Sequence, residues 1–198
     1  MFTGIIETTG IITDTVINGT NKSFWISSPI SGQLKVDQSL AHNGVCLTVE
    51  EIIADKHRVT AILETLQKTN LGLWEVGNSI NLERCLQLNG RLDGHFVQGH
   101  ADTTAILLSK KDMHGSWLLR FQFPVAFAAL VIEKGSVTIN GISLTAFDVS
   151  ADCFSVAIIP YTWQHTNLQF LQAGHTVNIE FDMIGKYLQR FATVNNPV

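Results

Sequence analysis

Clustered positive charge, long apolar runs and paired cysteines are all missing from this chain, and each absence narrows its reading. With 13 Lys and Arg against 17 Asp and Glu the net charge is −4, and no basic cluster offsets it. That argues against a nucleic-acid partner. The longest apolar run, Val125 to Ile132, is far too short to span a bilayer, so no membrane partner is expected. The opening Met1-Phe2-Thr3-Gly4-Ile5-Ile6-Glu7 lacks the positive and apolar regions of a signal peptide. The three cysteines, Cys46, Cys85 and Cys153, are widely spaced and leave one over from any disulfide. Reduced thiols and a cytoplasmic location are the simple expectation. The glycines form neither a phosphate loop nor a dinucleotide fingerprint, and no nucleophile elbow occurs. His95 and His100 stand five apart, on opposite faces of a strand, and no Cys, Asp or Glu completes a zinc spacing, so no metal is expected. Either histidine is then a ligand hydrogen-bonder or a structural residue. Charged residues are only 15% of the chain, below the usual quarter, which implies surface that is polar but uncharged or buried between domains or subunits.

What the chain does have is itself, twice. Asn43-Gly44-Val45-Cys46-Leu47-Thr48 recurs as Asn140-Gly141-Ile142-Ser143-Leu144-Thr145, and Thr65 to Leu71 recurs as Thr162 to Leu168. Asn81-Leu82-Glu83 recurs as Asn178-Ile179-Glu180. Each pair stands 97 positions apart (43 to 140, 65 to 162, 81 to 178), so no gap interrupts the match. A weaker echo relates Gly4–Thr9 to Gly99–Thr104. This period is far too long for a solenoid or propeller and long enough for each copy to bury its own core. Two similar domains imply two similar binding sites.

Both copies read mainly as short strands. Gly4–Ile12, Phe24–Ile26, Cys46–Ile53, His57–Leu63 and Ser79–Leu82 combine β-branched residues with turn signals. The second copy repeats the rhythm at Thr103–Leu108, Trp117–Phe123, Ser136–Val149, Phe154–Ile159 and Thr176–Phe181. About six strands per half suggest a small closed antiparallel barrel, with a sandwich as the alternative. Helical candidates are Pro124–Val131, which opens with proline, Leu66–Leu71 with its copy, and Ile184–Ala192. The last places Ile184, Tyr187, Leu188 and Phe191 on one face, for packing on its own domain or on another subunit. The hinge is expected near Leu88-Asn89-Gly90-Arg91.

Side chains alternate along a strand, so Cys46 and Thr48 share a face, as do Ser143 and Thr145. Read singly, these are ordinary strand residues with Thr bonded to backbone. Kept twice, except for Cys against Ser, they look like a duplicated site with one specialised member. Lys134 alone reads as a solvated turn lysine. Asp182, amid apolar neighbours, either caps the final helix or faces a pocket.

Met1–Ile5, Asn43–Thr48, Glu64-Thr65-Leu66 with Thr69–Gly72, Asn81–Arg84, Gly94–His100, Lys134-Gly135-Ser136 running into Asn140–Thr145, and Asn178–Tyr187 closely resemble the riboflavin synthase family, alpha-subunit type. The resemblance runs in order over nearly the whole chain. It implies an all-β fold of tandem six-stranded antiparallel barrels: residues 1–88 and 89–185, each lumazine-binding, then a short helix and tail at 186–198. It implies dismutation of two 6,7-dimethyl-8-ribityllumazine molecules to riboflavin and 5-amino-6-(D-ribitylamino)uracil, with no cofactor. It implies a homotrimer that pairs the N-terminal barrel of one subunit with the C-terminal barrel of a neighbour. Lumazine synthase is a partner by pathway only; no residue here supports it. The implied N-terminal site comprises Gly4, Ile5, Ile6, Cys46, Leu47, Thr48, Thr60, Ala61, Ile62, Leu63, Glu64 and Thr65, with Gly99, His100 and Ala101 nearby. The C-terminal site comprises Lys134, Ser143, Leu144, Thr145, Ile159, Pro160, Tyr161, Thr162, Trp163 and Gln164. Cys46, His100, Ser143 and Asp182 are the candidates for moving protons or adding a nucleophile. Leu63, Asp93, Tyr161 and Trp163 depart from the family's usual residues. The main rival is a lumazine- or flavin-binding fluorophore protein of the same fold; a duplicated barrel with a structural role leaves the paired hydroxyl faces unexplained.

Overall fold

A computed structural model describes residues 1–195; Asn196 to Val198, the end of the expected tail, lie outside the described residues. In the first half the strands are β1 (Thr8–Asn18), β2 (Asn21–Ser27), β3 (Ser39–His42), β4 (Val45–Thr48), β5 (Glu51–Ile53), β6 (Lys56–Ala61) and β7 (Ser79–Arg84). They form one antiparallel sheet in the order β4-β3-β7-β1-β2-β6-β5. Beyond it come β8 (Thr103–Asp112), β9 (Trp117–Gln122), β10 (Ser136–Ile139), β11 (Ile142–Thr145), β12 (Cys153–Ile158) and β13 (Thr176–Phe181). These pair in the equivalent order β11-β10-β13-β8-β9-β12.

Each sheet curls into a barrel because one bent strand belongs to both ends. β4 runs through Val49 and Glu50 into β5, pairing with β3 at one end and β6 at the other. In the second half the chain past β11 does the same: Phe147 bridges Ser155 of β12 through hydrogen bonds of 3.0 and 2.8 Å. Closure removes the free sheet edges that would otherwise invite association. Alternation along the strands sends Phe24, Ile26, Leu40, Val59 and Leu82 into one core and Phe121, Phe154, Val156, Ile179 and Phe181 into the other. Burying each such side chain stabilises by about 1.5–3 kcal/mol.

Several expectations need correction. Residues 4–7 are not strand; Gly4 takes φ +77 and the chain crosses to the other half before β1 begins at Thr8. The expected Cys46–Ile53 strand bends at Val49-Glu50, because barrel closure needs a corner there. β3 was not expected, since four residues without a β-branched one leave little pattern to read. Pro124–Val131 holds a 3-10 turn over Val125–Leu130. Where Leu66–Leu71 suggested one helical turn, α1 (Leu63–Lys68) is followed by a 3-10 turn at Asn70–Leu73. Its copy is α2 (Pro160–His165), followed by Asn167–Phe170. The final helix, α3 (Met183–Asn195), does not lay its apolar face on its own domain: Ile184, Tyr187, Leu188 and Phe191 are all more than 60% exposed. Lys186 ties its first turns to Asp102 at 2.8 Å.

Candidate active site

The repeated Asn-Gly pairs are the hairpin turns β3–β4 and β10–β11, with Asn43 and Gly44 at φ 46 and 76 and Asn140 and Gly141 at φ 45 and 81. Positive φ at both central residues is the type I′ geometry that Asn-Gly favours. The two turns lie back to back. A Cβ on Gly44 would come within 2.7 Å of Gly141 N, so neither glycine tolerates a side chain. Around them the repeated asparagines bond reciprocally across the halves. Asn81 Nδ2 donates to Asn140 O at 2.9 Å, and its copy Asn178 donates to Asn43 O at 3.0 Å. Asn167 N donates to Asn81 Oδ1 as Asn70 N donates to Asn178 Oδ1, at 2.8 and 2.7 Å. A cleft of about 410 Å³ opens beside this seam, but the amides on its floor are committed to one another.

From this seam β4 and β11 rise with one face inward and the other toward a crossing strap. Residues 2–6 form one strap and residues 95–101 the other, joined by Phe2 N to Val97 O at 2.7 Å and Val97 N to Phe2 O at 3.1 Å. Each strap lies over the barrel to which it does not belong in sequence. Ser143 N donates to Gly4 O at 2.8 Å, and Cys46 N donates to Gly99 O at 2.8 Å. A Cβ on Gly4 or on Gly99 would stand 2.6 Å from Ser143 Cβ or Cys46 Cβ, so both approaches require glycine.

Over β11 a cavity of about 540 Å³ is lined by Lys134, Ser143, Leu144, Thr145, Ile159 and Thr162. Ile5, Asp93, Gly94, Ser136, Phe147 and Ala157 complete it. Its size falls in the range of small-molecule sites. The Lys134 ammonium sits 5.2 Å over the Phe147 ring, giving the cavity a cationic end. His95 is buried behind Ser143, with Nδ1 2.6 Å from Ser143 Oγ and Nε2 3.1 Å from Thr138 Oγ1. Burial pushes its pKa down, opposed in part by the nearby Asp182 carboxylate, so the ring is neutral near pH 7. A neutral imidazole against a hydroxyl can accept a proton through that hydroxyl.

The equivalent place in the first barrel differs. Cys46 is half-buried beside Phe2, Ala41, Val97 and Cys85. Burial is the largest influence on its thiol and raises the pKa, so thiolate is scarce. Ala41 stands where the second barrel has Thr138, and no imidazole backs the sulfur.

The chain has counterparts among known proteins. The pattern described as Lumazine binding domain matches the chain twice, over residues 3–85 and 98–182. The chain is 38% identical to riboflavin synthase of Actinobacillus pleuropneumoniae over 192 residues, spanning 96% of this chain and 89% of that one. It is 37% identical to riboflavin synthase of Mycobacterium bovis over 195 residues, spanning 96% and 97%. The chain belongs to the riboflavin synthase family. A structure of LumP complexed with riboflavin superimposes at a TM-score of 0.86 and 24% identity, covering 91% of this chain and 99% of that one, which is a likeness of fold.

In this member of the riboflavin synthase family the sequence-named residues fall into two groups and some strays. Gly4, Ile5 and Ile6 belong with the second barrel, not the first: Ile5 lines its cavity and Ile6 packs on its core. Gly99, His100 and Ala101 lie over the first, with Ala101 against its core and His100 exposed. Leu47 and Ala61 point into that core, so their side chains face away from any ligand. Thr60 Oγ1 donates to Glu50 Oε2 at 2.9 Å on the barrel surface, and Thr48 is exposed. Ile62, Leu63 and Glu64 are exposed at the start of α1, with Thr65 partly so, and Glu64 pairs with Lys68 at 3.2 Å. Pro160 and Gln164 are exposed, and Tyr161 stacks on His165 at 4.1 Å. Trp163 turns from the cavity to stack on Trp117, ring centroids 4.3 Å apart. Asp182 Oδ1 accepts from Ile184 N at 2.9 Å, so it caps α3 while its charge reaches His95. Sequence reasoning missed the Ser143–His95–Thr138 chain and the carboxylates of Glu83 and Glu180. For the last two the repeat itself was the available signal.

Proposed function

We propose that this protein is a riboflavin synthase, converting two molecules of 6,7-dimethyl-8-ribityllumazine to riboflavin and 5-amino-6-(D-ribitylamino)uracil. The observation that carries the reading is a pair of equivalent strap-covered strands, one per barrel, in a chain whose relatives bear that name along almost their full length. One substrate used twice requires two sites of one shape; unequal donor and acceptor roles require them to differ. They differ at Cys46 against Ser143 and in what stands behind each. The units we assign are residues 1–88, 89–185 and the segment 186–198.

Within this reading, Lys134 and Ser143 hold ring oxygens in the second barrel, and strand amides read the edge of the bicycle. A proton leaves the acidic 7-methyl group of one lumazine, and the resulting carbanion attacks the other; neutral His95, through Ser143, is placed to take or return a proton. Holding two rings face to face removes up to about 7–11 kcal/mol of barrier in well-oriented cases, so positioning outweighs any single acid or base. The ring-to-ring contact is made across a homotrimer, first barrel of one subunit against second barrel of the next, with the exposed face of α3 at the contact. No helix among the described residues is long and apolar enough to cross a membrane.

Incubation with 6,7-dimethyl-8-ribityllumazine alone is the test. Riboflavin absorbance is the expected result. Tight binding without product establishes a fluorophore-binding protein instead, and neither result leaves only a structural role.

A further inference from the structure

We propose that Glu83 and Glu180 are positioning residues, each holding the strap that walls the site of the opposite barrel; this rests on both sites binding a lumazine or flavin ring. Glu83, on β7 of the first barrel, accepts from Thr3 N at 2.7 Å, Thr3 Oγ1 at 2.8 Å and Gly4 N at 3.1 Å. The strap it holds supplies Ile5 to the cavity of the second barrel and a carbonyl to Ser143 N. Glu180, on β13 of the second barrel, accepts from the amides of Gln98, Gly99 and His100 at 2.6, 2.9 and 2.9 Å. That strap supplies Gly99 O to Cys46 N in the first barrel.

Both carboxylates are buried, at 6% and 3% exposure, and among the described residues neither forms an ion pair; Lys186, engaged with Asp102, acts on Glu180 only through space. A buried carboxylate is costly unless its lone pairs are filled. Here backbone amides fill them, which fixes two otherwise irregular segments in the register that puts glycine against Ser143 and Cys46. Three convergent donors per carboxylate, repeated at equivalent positions, are more than simple strand packing requires. The crossing also means that each barrel carries the anchor for its neighbour's site. A glutamine cannot substitute cleanly: with its oxygen on Thr3, its NH₂ faces the Gly4 N–H, donor against donor.

The test is a riboflavin titration followed by protein fluorescence, on the full chain and on Glu83→Gln, Glu180→Gln and their combinations with Ser143→Ala, which marks the second-barrel site. Glu83→Gln should weaken the same site as Ser143→Ala, by about tenfold, and leave the other at wild-type affinity. Glu180→Gln with Ser143→Ala should weaken both. Thr3→Val, which removes one donor and keeps the carboxylate, should shift only the second-barrel site, by a smaller factor, and stands in if a glutamine variant fails to fold. Equal weakening of both sites by one variant, or unchanged affinities beside a lowered melting temperature, overturns the positioning role. Turnover of lumazine is measured separately. Its absence in a wild-type chain with two riboflavin sites removes the synthase reading alone, and turnover with variant affinities unchanged removes the positioning role alone.

Discussion

The two barrels share their seam and their straps but not their cores. In the first, His57 Nε2 lies 2.9 Å from His42 Nε2, His57 Nδ1 lies 2.8 Å from Ser31 Oγ, and Ser31 lies 2.8 Å from Ser28. His42 Nδ1 faces Leu40 O at 3.0 Å, so that nitrogen carries a proton and fixes the rest of the chain. His57 then donates to His42, Ser31 to His57 and Ser28 to Ser31; a further proton at His57 Nδ1 would turn the Ser31 hydroxyl to its longer alternative acceptor, Ile26 O at 3.4 Å. The second barrel has Ile139 and Phe154 at the equivalent positions, fully buried. Its polarity lies one step away, in Ser143–His95–Thr138 at the cavity. The contrast separates what duplication had to keep from what it was free to change. Contacts between the halves stay paired because each copy needs the other's match, whereas interiors and site walls are free to diverge.

The largest expected effect strikes the shared seam. Asn81→Ala leaves Asn140 O and Asn167 N without their buried partner, at about 1–3 kcal/mol for each orphaned group. Urea unfolding should show a loss of about 3 kcal/mol or more, with a similar loss for Asn178→Ala. A much smaller loss for Asn178→Ala would break the equivalence of the halves. Next come the two equivalent strand positions proposed to take part in the reaction. Ser143→Ala should lower riboflavin formation about a hundredfold, the range of a lost proton-transfer partner. Cys46→Ser should cost less than about tenfold, since burial keeps the thiol protonated. Reversal of that order in steady-state assays would move proton transfer to the first barrel.

Acid should then tell the cores apart. Burial holds the His57 pKa down to about 4, below its unfolded value, so the unfolded chain binds the proton more tightly. The contribution is fully present above about pH 6.5 and is lost as the pH falls toward 4. Between pH 7 and 4.5 the loss should be about 2–3 kcal/mol, read as faster amide exchange in β2, β3 and β6 than in β9, β10 and β12. His42→Ile with His57→Phe, the second barrel's own residues, should flatten that response. The smallest effect concerns a feature reached by different routes. Lys22 Nζ plugs the carbonyls of Gly72 and Trp74 at 3.0 and 2.7 Å, while Lys110 plugs the equivalent Gln169 and Leu171 from another strand at 3.3 and 2.5 Å. Trp117 occupies the place of Lys22 and stacks on Trp163 instead. Lys22→Met and Lys110→Met should each cost about 1 kcal/mol in thermal unfolding, alike despite the different strand.

Strand alternation made part of the geometry legible: Leu47 turns into the core while Thr48 is exposed, and Ser143 and Thr145 both border the cavity, although Leu144 between them lines it too. The straps were not legible. Residues 4–6 are close in sequence to β1, and only the tertiary structure shows them crossing to Ser143. Likewise Asp182 divides its duties between the α3 cap and His95, a distinction that no spacing encodes. Of the two coverings the sequence left open for the apolar face of α3, its own domain or another subunit, its exposure argues against the first, since an amphipathic pattern reports that a face is apolar and says nothing of what covers it.

Periodicity and repetition by themselves determined the all-β character, the two copies and the doubled Asn-Gly strand, because those follow from local pattern and from residues compared with their own duplicates. Which strap covers which barrel, which histidine backs which hydroxyl and where the buried carboxylates direct their oxygens were decided only by the folded chain. Such contacts join residues some 80 positions apart, as Glu83 joins Thr3, and their energy depends on burial and distance that no linear order carries.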